Sequence, residues 1–417
     1  MSLLPLLISF LAFVPLALLA GRALPQRHRA KALAVLNLAV LYPLCVLAGS
    51  SGVRRYELGH YLAAVALAYA LYVLMVLVQY PLIRRYATGD KRRPWVPILF
   101  PIAALVLIKL LPASWLPFFA HAGFADSTHL SVYMLGLSFM AFRLCHLAVE
   151  VSTAVVPPPA LAQYLGFSFF VPTLAVGPIN AYSHYSANPD RRPIEPGRAL
   201  LRLLVGFTKY IFLANLFNQL SFAGLLFDGH PHPLVDLPVA MVASYLFLYL
   251  NFSGYCDMAI GAAGLLGVPV TENFNSPLLA RNVRDFWNRW HITLSLFMRD
   301  LVFTPLSKRL VGVFGARYAN HAIALAIVVV FILIGLWHGL AWNFLVYGVL
   351  HAAGVVANHY YTGALKSRLG ARGFARYNQN RLVRAAAIAA TFAYVSFTTV
   401  FFFNSLPDLK ALASVIR

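Results

Sequence analysis

Six charged or imidazole side chains fall within residues 284–301, Arg-Asp-Phe-Trp-Asn-Arg-Trp-His-Ile-Thr-Leu-Ser-Leu-Phe-Met-Arg-Asp-Leu, in a chain that is 60% hydrophobic and 11% charged. At helical periodicity Phe286, Trp290, Leu294, Phe297 and Leu301 form one apolar stripe, and Arg284, Asn288, His291, Ser295 and Arg299 form another face. The segment therefore reads as one two-sided helix. A second histidine, His338, stands in the apolar run from Ala322 to Leu350, between Gly335 and Gly339. A polar group in such a run is costly unless it is satisfied or used. A neutral imidazole can take a proton near pH 7, and burial favours that neutral form, so His338 is the candidate general base. The two glycines make a Gly-x-x-x-Gly pair, which helix packing explains. Packing does not explain the histidine between them. His351 and His359 do not form the i, i+4 pair with His338 that a zinc helix would use, so no metal is expected.

The elements that must hold these residues are membrane helices. The chain has 417 residues and a mean hydropathy of +0.73. Its apolar runs repeat at about 20 residues, the length that crosses a bilayer as helix. The expected fold class is all-α: a polytopic integral membrane protein with about 11 spans, some of them re-entrant or short. These lie near 3–21, 32–49, 60–83, 95–112, 130–150, 159–178, 200–222, 235–267, 321–336, 340–361 and 385–404. The first run lacks a basic segment before it and a small-residue cleavage site, so it reads as a retained span.

The net charge is +20, and the basic residues cluster at Arg22 to Lys31, Arg84 to Arg93 and Lys366 to Arg384. The positive-inside rule assigns these loops to the cytoplasm and the N-terminus to the outside. Topology and anionic headgroups account for such loops. A docking face for an acidic cytosolic partner, using Arg92, Arg93, Lys366 and Arg368, is the sharper reading. Cys45, Cys145 and Cys256 lie in apolar contexts without pairing spacing and read as small core residues.

Residues 1–112 carry few polar groups within their apolar runs and read as scaffold. From Gly136 the character changes. Arg143, His146 and Glu150 share one helix face and could neutralise one another. Gly177-Pro178 ends a helix before the irregular stretch from Asn180 to Arg198. Asp257, in the apolar helix Tyr245 to Gly264, needs a partner.

Asp285-Phe-Trp-Asn-Arg-Trp-His291-Ile-Thr-Leu-Ser, preceded by Asn273-Phe-Asn-Ser-Pro277 and followed by Gly335-Leu-Trp-His338-Gly-Leu-Ala-Trp342, resembles the membrane-bound O-acyltransferase family, with similarity from about Gly136 to Phe403. The resemblance implies one membrane domain over 1–417, with 136–403 as catalytic core, and a helical bundle pierced by a tunnel. His338 matches the family's catalytic histidine and His291 its second characteristic one. Asp285, Trp287, Asn288, Ser295, Arg299 and Trp337 are the expected substrate-binding residues. The implied reaction moves an acyl group from a thioester to a hydroxyl. No tightly bound cofactor is implied; the donor would be carrier-protein phosphopantetheine or acetyl-CoA.

Two bacterial branches of the family compete. The D-alanyl transfer branch is similar in Phe142-Arg143, in Asp285 to His291, and in ending some 80 residues after the catalytic histidine. The alginate-type O-acetyltransferase branch is similar in Ser253-Gly-Tyr-Cys-Asp257-Met-Ala-Ile-Gly261 and in Glu272 to Pro277. The chain has Thr304-Pro-Leu-Ser-Lys308 where the acetyltransferase branch carries Gly-Gly-Asn-Arg, and this departure, with the length, favours the D-alanyl type. The expected partners are an acidic acyl carrier protein in the cytosol, an extracytoplasmic polymer or relay protein, and membrane lipids, with no nucleic acid. The expected location is the bacterial plasma (inner) membrane. A transporter could also use Arg143, Glu150, Asp257 and Asp285 within the membrane, but the chain lacks the repeat symmetry common in transporters. A scaffold protein would leave the polar face of 284–301 without a use.

Overall fold

A computed structural model describes residues 8–49, 58–88, 93–110, 134–188, 190–226 and 232–416. Arg92 and the segment 111–133, which includes the start of the expected 130–150 span, lie outside the described residues. Among the described residues the secondary structure is helical, with one isolated antiparallel bridge between Phe274 and Trp290. Among the described residues six helices are long and apolar enough to cross a membrane: Gln26–Leu47, Tyr61–Tyr86, Pro196–Gln219, Leu234–Leu265, Ala316–His338 and Arg381–Phe403. Two shorter apolar helices, Phe10–Ala23 and Trp95–Leu110, join them. The protein is an all-α, multi-pass membrane protein.

The chain folds as two compact units, Met1–Gly206 with Tyr255–Thr271, and Phe207–Gly254 with Glu272–Arg417. In the first unit the named helices are α1 (Phe13–Ala23), α2 (Gln26–Gly49), α3 (Leu58–Tyr86), α4 (Trp95–Leu110), α5 (Leu137–Ser152), α6 (Leu161–Ser168) and α7 (Pro196–Phe207). The stretch 159–178, expected as a span, folds instead as the eight-residue α6 and a 3-10 turn at Val171–Thr173. Pro172 interrupts the helical ladder and frees backbone groups that hydrocarbon cannot satisfy. Two buried side chains satisfy them. Arg143 donates to the carbonyls of Phe167 at 3.1 Å and Thr173 at 2.8 Å. Asn37 donates to Gly166 O at 3.3 Å and accepts from Val171 N at 3.1 Å.

Arg143 is thus committed to backbone carbonyls rather than to Glu150. Glu150 instead accepts from Tyr182 N at 2.9 Å and from the Ser183 hydroxyl, with His146 at 3.6 Å. The three-residue network expected on α5 is two separate arrangements, because the break after α6 offers carbonyls that a buried cation needs. Asp257 finds its partner in Arg202 at 2.9 Å. Cys45, Cys145 and Cys256 are buried and not joined in disulfides.

In the second unit the named helices are α8 (Pro233–Leu265, whose start belongs here), α9 (Val283–Trp287), α10 (Ile292–Met298), α11 (Thr304–Phe314), α12 (Ala319–His338), α13 (Trp342–Gln379) and α14 (Arg381–Phe403). Gly339, with φ 177° and ψ 158°, ends α12. The chain then reverses through Leu340 and Ala341 into α13. The α12–α13 pair packs backbone against backbone. A Cβ on Gly335 would come within 2.4 Å of Phe344 O, and one on Gly348 within 2.5 Å of Phe331 O. Asn380 starts α14 by accepting from the amides of Leu382 and Val383.

Candidate active site

The two-sided helix expected over 284–301 is broken in the middle. Asn282 caps α9 by accepting from Asp285 N at 2.8 Å. The segment Asn273 to Asn275 lies along 289–292: Asn275 N donates to Arg289 O at 2.9 Å, and Ile292 N donates to Asn273 O at 3.0 Å. Between these ties His291 adopts φ 44° and ψ 51°, a left-handed conformation uncommon for a residue with a side chain. The turn swings His291 off the polar face and buries it, at 3% exposure, while Asn288 and Arg299 remain exposed. Periodicity alone could not reveal this, because the fixing contact comes from a segment 18 residues upstream.

Asn273 sets the state of that imidazole. Its Oδ1 accepts from Thr293 N at 3.1 Å and from Thr293 Oγ1 at 2.9 Å, and it lies 3.2 Å from His291 Nδ1. A carbonyl oxygen only accepts, so Nδ1 carries the ring proton and Nε2 is the acceptor nitrogen. Burial, then the nearby His338, pushes the His291 pKa down to about 3, so the ring is neutral at pH 7. A neutral ring with its proton on Nδ1 accepts at Nε2. Asn273→Asp should keep the three acceptor contacts and raise the His291 pKa, because a carboxylate favours the imidazolium. A profile of activity against pH should then gain an upward-shifted acid limb relative to wild type; an unchanged profile would mean that Asn273 does not govern this ring.

His338 is the last residue of α12 and is half-buried, not deeply buried as its apolar run suggested. The physical reason is the extended Gly339, which ends the helix at the histidine. At this C-terminus the helix dipole favours a positive charge, as on the imidazolium formed when a general base takes a proton. A chain of rings links it to its neighbours. Trp337 lies 4.6 Å from His338 and 6.2 Å from His291 between ring centres. Phe402 of α14 packs on His338 at 5.1 Å, and Tyr347 lies 4.5 Å from His351 and 6.1 Å from His338.

In the sequence His351 has no role beyond that of a discounted metal ligand. It is buried, its Nδ1 accepts from Trp287 Nε1 at 3.1 Å, and Nε2 donates to Thr398 Oγ1 at 3.1 Å. Both nitrogens are occupied, so this ring holds Trp287 rather than moving protons. Its signal in the sequence was a polar residue on an apolar helix, which does not separate a strut from a base.

Five of the expected substrate-binding residues line two cavities of this unit. The larger, about 740 Å³, is bordered by Arg281, Arg284, Asp285, Asn288, Tyr377 and Arg384. The smaller, about 130 Å³, shares Arg284 and Asn288 with it and is bordered by Trp287, Ser295, Arg299 and Ile334. Asp285 is committed to Arg289 at 2.9 Å and to Arg281 N at 3.0 Å. Ser295 donates to Trp287 O at 2.9 Å, and Arg299 pairs with adjacent Asp300 at 2.8 Å. Trp337, the sixth, belongs to the ring chain with the two histidines. The unit thus holds a half-buried imidazole, a neutral acceptor imidazole and an arginine-bordered hollow, and neither His291 nor His338 borders the two cavities.

The family model described as MBOAT, membrane-bound O-acyltransferase family, matches residues 102–397. A teichoic acid D-alanyltransferase from Streptococcus thermophilus is 27% identical over 365 residues, covering 83% of this chain and 84% of its own length. A peptidoglycan O-acetyltransferase from Helicobacter pylori is 33% identical over 218 residues, covering 50% of this chain and 40% of its own. A probable alginate O-acetylase from Azotobacter vinelandii is 28% identical over 225 residues, covering 52% and 42%.

Proposed function

Because this chain belongs to the membrane-bound O-acyltransferase family, we propose that it moves a D-alanyl group from a cytosolic carrier-protein thioester to a hydroxyl of a cell-envelope polymer or relay protein at a bacterial inner membrane. The observation that carries the reading is the half-buried His338 at a helix end, ring-linked to neutral His291. In the reaction, the acceptor hydroxyl attacks the thioester carbonyl as His338 takes its proton. The tetrahedral intermediate collapses with cleavage of the C–S bond, and the proton passes from His338 to the departing thiolate. An ester and a free thiol result. General base help of this kind needs only a neutral imidazole within reach of the hydroxyl. His291, as an acceptor, orients an N–H of the donor, either an amide of the pantetheine arm or the D-alanyl ammonium. His291→Asn keeps a carbonyl acceptor and should retain more activity than His291→Ala; equal losses would remove this role.

The larger cavity supports a donor with an anionic arm. Arg281, Arg284 and Arg384 border it with no carboxylate ion pair among the described residues, and a phosphodiester fits guanidinium forks. Arg384 belongs to the basic segment expected in the cytosol. Support for D-alanyl over acetyl comes from coverage: the D-alanyltransferase relative aligns over most of both chains, the acetyltransferases over about half of this one. The higher identity to the peptidoglycan O-acetyltransferase favours acetyl transfer to an exported polysaccharide as the second reading. Purified protein offered D-alanyl and acetyl thioesters in competition separates them. Preferential consumption of the D-alanyl donor is expected, and exclusive use of acetyl would overturn the choice.

Docking of an acidic carrier should depend on exposed Lys366 and Arg368. Reversing both charges should weaken carrier binding, and salt should do the same, since the screening length falls from about 10 Å at 0.1 M to about 3 Å at 1 M. Turnover of a small soluble thioester should be spared. Carrier binding indifferent to both changes would exclude this surface.

A further inference from the structure

The first unit contains a hollow of about 200 Å³ between α1, α2 and the segment 190–193. Its composition is graded along the helices. Arg22 sits in the last turn of α1 and Arg29 in the first turns of α2, whereas Ala17, Leu33 and Leu36 border the hollow further along the same two helices. From Arg29 to Leu36 is about 10 Å of helix rise. The hollow therefore runs from a cationic end to an apolar lane.

The local acid does not balance the arginines. Asp190 accepts from Gln26 and lies 3.8 Å from Arg192. Arg29, half-buried, donates to Leu24 O at 3.2 Å and Asp190 O at 3.4 Å, which holds its guanidinium at the hollow. Arg191 is engaged elsewhere, donating to Tyr185 O and lying 4.2 Å over the Tyr185 ring. Arg22, Arg29 and Arg192 thus face one carboxylate. An anion would relieve their mutual repulsion, and only an amphiphile would use the apolar lane as well.

We infer that this hollow binds an anionic phospholipid, its phosphodiester among Arg22, Arg29 and Arg192 and an acyl chain along Ala17, Leu33 and Leu36. The positive-inside rule sets these arginines at the headgroup level of the cytoplasmic leaflet, where such lipids are found. A soluble phosphate would leave the lane unused, and 200 Å³ is too small for a protein side.

The test is thermal stability of the full chain in detergent, titrated with phosphatidylglycerol, phosphatidylcholine or glycerol phosphate. Phosphatidylglycerol should raise the midpoint, and the other two should not. Arg22→Gln with Arg29→Gln should weaken the apparent affinity by about fivefold per arginine. Leu33→Trp fills the lane with all charges intact and should also remove the effect, which keeps the inference testable if the arginine variant fails to fold. Arg372→Gln with Arg376→Gln, in another basic segment, should leave it unchanged. The inference fails if phosphatidylcholine or glycerol phosphate matches phosphatidylglycerol, if both hollow variants respond like wild type, or if the distant pair abolishes the response.

Discussion

His338→Ala should lower acyl transfer by about 10²–10⁴-fold while leaving the thermal midpoint near that of wild type, since general base catalysis is typically worth that much. The side chain ends a helix and is half-buried, so its removal opens no deep cavity. The measurement is initial-rate ester formation by purified wild type and variant, with melting curves on the same preparations. Undiminished transfer by a folded variant would remove His338 from the mechanism. His351→Ala makes the contrast. That ring is fully buried and bonded on both nitrogens, so its loss should lower stability first.

Gly335→Ala should be the most damaging of the small substitutions in α12. Its methyl would meet Phe344 O at 2.4 Å, a backbone atom that cannot move aside without shifting α13. Overpacking of a tight contact typically costs about 1–3 kcal/mol, and here the strained pair of helices also carries His338. Gly339→Ala meets only ring carbons of Phe344, at 2.6 Å, which rotation can relieve, and its backbone is extended. Thermal melting should therefore rank Gly335→Ala well below Gly339→Ala. Equal midpoints would mean that the α12–α13 approach is looser than described.

That pair also marks what could be read from the chain. Gly335 and Gly339 were legible together as a small-residue motif, but only the packing separates a glycine against a backbone oxygen from one against a ring. The all-helical membrane fold followed from runs of apolar residues, and the partner of Asp257 could be demanded though not named. Hydropathy predicts a span over 159–178 because it reports composition, while the shape of that segment is decided by Pro172 and by distant Arg143 and Asn37. Part of the site was legible as residue types: His291, His338 and residues such as Asp285, Asn288 and Arg299 were visible, but Arg281 and Tyr377, which also border the larger cavity, carry no signal in the sequence. Its geometry was not, because His291 is turned by Asn273 and His338 is brought toward the surface by the end of its helix.

The most direct test of the central claim uses the purified protein in liposomes with a labelled D-alanyl thioester on its carrier protein and a hydroxyl-bearing acceptor. The expected result is label in an alkali-labile ester on the acceptor, with one free carrier thiol per ester formed and neither product from His338→Ala. An intact thioester, with label or solute instead crossing the membrane unchanged, would contradict acyl transfer and return the chain to the transporters.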